Sequence, residues 1–250
     1  MAVFLTAEWR KLIMAQYVVK PKRLMPYLPR GLEFDLYEGR CYVSLVAFLF
    51  DRVRLKGLPI PFHTRFEEIN LRFYVKRREP DGTIKRGVVF IREFVPRAAI
   101  AYVARCFYEE PYVAIPTNHR IERRSNNLFV QYNWNLGGRS HSIAVNANPT
   151  PSDIAPGSEE EFITEHYWGY TKRVDGSTLA YEVQHPRWQT YKLHDEKYRI
   201  EVDMGILYGS EFAFLTEEWV SSVLLAEGSA VSVFNGFRLP NPRVATLANA

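Results

Sequence analysis

Residues 62 to 78 read FHTRFEEINLRFYVKRR, and from Glu68 onward polar and apolar positions alternate with the period of a strand. One face carries Glu68, Asn70, Arg72, Tyr74 and Lys76. An arginine presents a planar fork of donors that matches a carboxylate through two parallel hydrogen bonds. A glutamate on that face whose pKa burial raises can serve as a proton carrier. Such a face suits an organic acid or carbonyl compound if it is interior. Two other readings stay open: an internal ion pair that fixes register, or a solvated strand edge.

The elements around this strand decide between them. The turn EPDGT, Glu79 to Thr83, leads into GVVFIREFV, Gly87 to Val95. A hairpin centred on Asp81-Gly82 places Asn70 opposite Glu93 and Arg72 opposite Ile91. In that register Glu68, Asn70, Arg72 and Tyr74 share a face with Val89, Ile91 and Val95. Ile69, Leu71, Phe73 and Val75 share the other with Val88, Phe90 and Phe94. Both faces then carry large apolar residues, so the sheet is expected to be covered on both sides and the charges enclosed. An enclosed arginine or carboxylate must pair or bind something, because leaving it unpaired costs several kcal/mol.

Upstream, Arg10 to Val19 is apolar-rich, and PKRLMPYLP predicts a short helix broken by Pro26 and Pro29. LEFDLY, a turn at Glu38-Gly39 and RCYVSLVAFLF predict a hairpin whose second strand is apolar on both faces. Downstream, Pro96 followed by RAAIAYVARCFY predicts a helix. Pro111 to Pro116, His119 to Arg124, Asn127 to Trp134 and Ser140 to Asn146 are expected as short strands in meander. NANPTPSDIAPGS reads as a connecting loop, and Ser158 to Glu161 as the capping box of a short helix. STLAYEVQH, TYKLHDEKYRIEV and SAVSVFNGF supply further strand, DMGILYG a helical turn, and the stretch after Pro240 a frayed tail. Many strands with few helices imply a mainly β protein, α+β in detail, with a strongly curved or closed sheet and helices outside it.

Composition narrows the function classes. With 250 residues, 47% hydrophobic, the chain suffices for one sizeable core, and a single domain over residues 1 to 250 is expected. A net charge of +4 is too small to argue for nucleic acid, and the runs KRR and RIERR lack interleaved aromatics. Two cysteines, Cys41 and Cys106, make no disulfide framework, which favours a reducing compartment. Glu8, Arg10 and Lys11 interrupt the apolar N-terminus, and the apolar run Cys41 to Phe50 is far short of the roughly 20 residues a membrane span needs. A cytoplasmic protein without membrane contact is therefore expected.

Walker A, GxGxxG, HExxH, CxxC and GxSxG patterns are all missing. His63 and Glu67 have a helical metal-pair spacing but sit in turn and strand. The other histidines are scattered, so neither a metal nor a cofactor is expected. Cys106, near His119, reads as a small buried helix residue rather than a nucleophile.

WRKLIMAQYVVKPKRLMPYLPRGLEFDLYEGRCYVSLVAF, GLPIPFHTRFEEINLRFYVKRR, GVVFIREFVPRAAIAYVARCFYEEPYVAIP and YEVQHPRW closely resemble the bacterial YqjF-like family, a domain family of unassigned function. That family is similar in turn to the acetoacetate decarboxylase superfamily. Arg10, Tyr17, Pro21, Leu24 and Pro29 before Leu32-Glu33 fall at the superfamily's intervals. Phe66-Glu67-Glu68 matches its Tyr-x-Glu, making Glu68 the counterpart of the active-site carboxylate. Ala104-Arg105-Cys106 stands where a Gly-Arg-Glu is usual, and Glu109-Glu110-Pro111-Tyr112-Val113 where a lysine pair follows proline. Decarboxylation in that superfamily needs a lysine amine whose pKa a second cation lowers. Tyr112 and Val113 form no imine, and Lys76, Lys85, Lys172 and Lys192 lie in strand ends or polar contexts.

What the resemblance implies is a closed, cone-like β-barrel core with outer strands and a few helices, its interior open to a small ligand, and a homo-oligomer. Taken with the residues, it predicts a pocket for a small organic acid or carbonyl compound. Arg10, Arg72 or Arg105 would meet the anionic end, Asn70 and Tyr112 would line the site, and Glu68 or Glu93 would make polar contacts. A lysine-independent lyase, hydratase or isomerase using Glu68 or Glu93 as general acid or base is the second reading. The third is an oligomer-forming structural protein with internal ion pairs only.

Overall fold

The computed structural model describes residues 2–240; the tail expected to fray lies outside them. The chain opens with the long strand β1 (Val3–Val19), a helical turn α1 (Pro21–Leu24), β2 (Glu33–Phe34), β3 (Cys41–Leu55), β4 (Leu58–Pro59), and the hairpin β5 (Phe66–Arg78) and β6 (Ile84–Val95). Helix α2 (Ala98–Tyr108) leads to β7 (Tyr112–Ala114), then to β8 (Thr117–Arg123), β9 (Leu128–Leu136) and β10 (Arg139–Asp153). After α3 (Glu159–Thr164) come β11 (Trp168–Lys172), β12 (Thr178–Gln184), β13 (Gln189–Glu201), α4 (Met204–Tyr208), β14 (Ser222–Phe234) and β15 (Phe237–Arg238).

Strands β12, β11, β6, β5, β3, β1 and β14 are hydrogen-bonded neighbours in that order, and Val183 and Gln184 of β12 pair with Val233 and Ser232 of β14. The sheet thus closes into a ring. From β14 it continues through β13, β10, β9 and β8, and this extension covers the outside of the ring. Two main cores follow from that wrapping. Ile69, Leu71, Phe73 and Val75 of β5 pack outward against Val130, Tyr132, Trp134, Ile143 and Val145 of the covering sheet. The opposite face of the ring strands, with Leu12, Val46, Phe48, Phe50 and Val88, turns inward. β3 lies between the two, and this explains why Cys41 to Phe50 is apolar at both parities and buried throughout.

Several local expectations are corrected. β2 pairs with β5 rather than forming a hairpin with β3; only an isolated bridge, Tyr37 to Arg40, marks the Glu38-Gly39 turn. β7 runs parallel to β6, because α2 carries the chain back across, so the meander starts only at β8. The stretch from Asn146 to Asp153 is strand, not loop: β10 continues there opposite β13 after β9 has ended at Leu128. With one side unpaired, Pro149 and Pro151 forfeit little. The capping box holds, Ser158 Oγ accepting from Glu161 N at 3.2 Å. Among the described residues no helix is long and apolar enough to cross a membrane.

Candidate functional site

The predicted pairing of Asn70 with Glu93 is present. Between Leu71 and Arg72, however, the register shifts, since Leu71 pairs with Arg92 and Arg72 with Phe90. The extra residue, Ile91, makes a β-bulge. Beyond it the parity of β6 is inverted relative to expectation: Val88 and Phe90 join the charged face, and Val89 and Ile91 join the outer core. The bulge gives Glu93 and Phe90, three residues apart, the same interior face.

That face lines a cavity of about 220 Å³ inside the ring, far more than the roughly 10–15 Å³ one water requires. Glu68, Asn70 and Arg72 reach it from β5, Glu93 from β6, Tyr112 from β7 and Tyr181 from β12. Glu110, just before β7, and His166, just before β11, complete its polar part. All but Tyr112 are buried. α2 covers one side through Ala99, Ile100, Val103, Ala104 and Tyr108.

The polar groups are incompletely matched. Glu68 accepts from Asn70 Nδ2 at 3.0 Å and from the Tyr112 hydroxyl at 2.7 Å. Glu110 accepts from the Tyr181 hydroxyl. Among the described residues Glu93 Oε2, Asn70 Oδ1 and Arg72 Nε have no hydrogen-bond partner. Among the described residues no carboxylate lies within ion-pair distance of Arg72; its terminal nitrogen approaches Met14 Sδ at 4.0 Å, and the guanidinium stands 5.7 Å from the centre of the Tyr74 ring. Glu68 and Glu93 act on Arg72 only through space, and a buried cation without a contacting partner is expensive unless something else arrives to meet it.

Electrostatics follow from this enclosure. Burial pushes Glu68 up to about 7, with Tyr112, Asn70 and Arg72 holding it back, and pushes Glu110 up to about 8. Glu93 rises well above the usual carboxylate range through burial and the neighbouring charges of Glu110 and Glu68. The shift favours the protonated form of Glu93, which can donate a hydrogen bond, while Glu68 stands poised between its two forms near neutral pH. His166 Nε2 lies 3.2 Å from Asp35 Oδ2, and Asp35 also accepts from Arg86 Nε at 2.6 Å. Burial pushes His166 down to about 4, so the neutral ring donates through Nε2 to Asp35 and leaves Nδ1 as an unpartnered acceptor.

Two sequence candidates lie elsewhere. Arg10 projects from β1 outside the cavity, donating to Glu8 Oε2 at 2.8 Å and 3.5 Å from Glu227. Arg105 sits on the exposed side of α2 and donates to the Tyr112 carbonyl at 3.3 Å. Cys106, expected to be buried, is exposed, because α2 turns Ala101 and Tyr108 inward and Cys106 falls on its other face. His63 and Glu67 do not meet: His63 bonds the Pro61 carbonyl, while Glu67 faces outward from the ring to Thr117 and His119. Glu110, His166 and Tyr181 were not among the candidates. Glu110 is readable from its place before Pro111-Tyr112, whereas His166 and Tyr181 come near only through the pairing of β11 with β6 and of β12 with β11.

The family model DUF2071, described as uncharacterized conserved protein, matches residues 6–230. The uncharacterized protein YqjF of Bacillus subtilis (strain 168) is 26% identical over 183 residues, 72% of either chain. Among solved structures, the acetoacetate decarboxylase of Legionella pneumophila superposes with a TM-score of 0.64 at 11% identity, covering 96% of this chain and 88% of that one. The enduracididine biosynthesis enzyme MppR complexed with pyruvate gives 0.64 at 12%, covering 96% and 92%. These likenesses establish an acetoacetate decarboxylase-like fold. Among the described residues no lysine lines the cavity.

Proposed function

The chain belongs to the DUF2071 family, and from the chemistry of its cavity we propose that it binds a small organic acid or carbonyl compound inside the ring. The observation that carries this reading is Arg72, buried and without a carboxylate partner. A ligand carboxylate supplies the missing charge through the fork of the guanidinium. Glu93, whose Oε2 is otherwise unpaired, donates in its protonated form to a carbonyl or second carboxyl oxygen, and Asn70 Oδ1 accepts from a hydroxyl. The pyruvate complex of a protein with this fold makes pyruvate the first probe. Thermal shifts over a panel of small oxo and hydroxy acids test the reading, with Arg72→Met and Glu68→Gln as controls. A midpoint that rises with ligand in wild type and not in Arg72→Met is expected; a flat panel in wild type contradicts it.

One observation favours a second step. A carboxylate with pKa near 7 beside a carbonyl site is suited to take and return an α-proton, Glu68 acting as base and the neutral acid of Glu93 polarising the carbonyl. Enolisation of the bound oxo acid then needs no imine. Exchange of the ligand's α-protons in deuterium oxide, lost in Glu68→Gln, tests it by proton NMR.

A further inference from the structure

Apart from His63, the polar groups of the cavity come from β5, β6, β7, β12 and the segments before β7 and β11, and the rest of its lining is apolar; Glu93 is 1% exposed, whereas Ile60, which also lines it, is 42% exposed. Ala99, at the start of α2, is exposed as well and lines the same space. The mouth therefore lies between the segment after β4 and the start of α2. From it a throat runs along Trp9, Phe48 and Phe50, whose rings pack at 5.5 and 5.9 Å from Trp9. The division follows the sheet in one respect: β1 and β3 contribute apolar residues alone, and the polar groups named above all come from other elements. A three-carbon acid seated on Arg72 leaves that aromatic wall bare, and poorly held water in an apolar throat is readily displaced by a hydrocarbon.

We infer that the ligand is amphipathic: an acid whose head meets Arg72 and whose alkyl or aryl tail fills the throat toward Ile60 and Ala99. This inference rests on the acid-head reading above and adds the substrate class. The tail contributes through burial of apolar surface, and each methylene that enters the throat tightens binding about fourfold. Length discrimination ends where the chain reaches the mouth.

The test is calorimetric titration of the full chain with straight-chain 2-oxo acids from pyruvate to 2-oxooctanoate, for wild type, Arg72→Met and Ile60→Asp. The inference predicts a Kd that falls about fourfold per methylene, a loss of binding at every length in Arg72→Met, and a flattened long end in Ile60→Asp. Ile60 is exposed enough for that change to leave the fold intact. Arg72-dependent affinity that is flat or falls with length overturns the amphipathic assignment and leaves the acid-head reading standing. An unchanged slope in Ile60→Asp puts the tail elsewhere and likewise overturns it. No binding at any length, or a rise identical in Arg72→Met, overturns both.

Discussion

Replacing Arg72 by methionine should stabilise the empty protein, because the groups around the guanidinium do not offset its desolvation. Its contacts are a sulfur at 4.0 Å and the Tyr74 ring at 5.7 Å, and Nε has none. A cation–π contact contributes about 0.5–2 kcal/mol, whereas the effective penalty of a buried ion is several kcal/mol. Methionine has similar reach and no charge, so a net gain of about 2 kcal/mol follows. For a chain of this size that is a rise in midpoint of about 4–8 °C. The gain also depends on pH. At pH 6 Glu68 holds its proton, and losing the neighbouring cation costs it little; at pH 8 Glu68 is ionised and loses an attractive charge, so the gain shrinks. Thermal and urea unfolding of both proteins at pH 6 and pH 8 measure it. A variant less stable than wild type at pH 6 refutes the reasoning, since it makes Arg72 a structural cation already compensated by the fold.

Three further outcomes follow from the same geometry. Carboxyls whose pKa is raised in the folded state bind more protons folded than unfolded, so their contribution is present at low pH and lost as pH rises through about 7 and 8. Unfolding midpoints should fall from pH 7 to pH 8.5, and Glu110→Gln should flatten that fall; a midpoint rising over this range contradicts the shifts. Gly169 has no room for a side chain, a Cβ there lying 2.0 Å from the Tyr181 ring. Gly169→Ala should displace Tyr181 from Glu110 and cost about 1–3 kcal/mol, measured by denaturant midpoint; an unchanged midpoint shows the contact to be slack. Borohydride reduction in the presence of pyruvate or acetoacetate should leave the intact mass unchanged, since among the described residues no lysine lines the cavity; a reduced adduct would overturn the lysine-independent chemistry.

Much of the site was legible because it lies on one hairpin. Alternation along β5 and the Asp81-Gly82 turn place Asn70 against Glu93, and the apolar residues on both faces of β3 require cover on both sides. The bulge at Ile91 was not legible: nothing in VVFIREFV distinguishes an extra residue from a regular strand, and its effect is to exchange the faces of Val88 to Ile91. Arg10 and Arg105 were drawn in by residue type, yet whether an arginine faces a cavity depends on which side of β1 or α2 is interior. His166 and Tyr181 were missed for a related reason. They line the cavity because β11 pairs in parallel with β6 and β12 pairs with β11, pairings between segments distant in the chain with no local signature. Only the second half of β10, from Asn146 on, reads as a loop, because its prolines are strand breakers except where one side of the strand is unpaired.

The central claim is that Arg72 waits for the carboxylate of a ligand. Calorimetric titration of 2-oxo acids into wild type and Arg72→Met tests it most directly. Saturable one-to-one binding in wild type, weakened in the variant by about thirtyfold or more, which corresponds to at least 2 kcal/mol for a desolvated charge pair, is the predicted result. Equal affinity in the two proteins, or no heat in either, would contradict it.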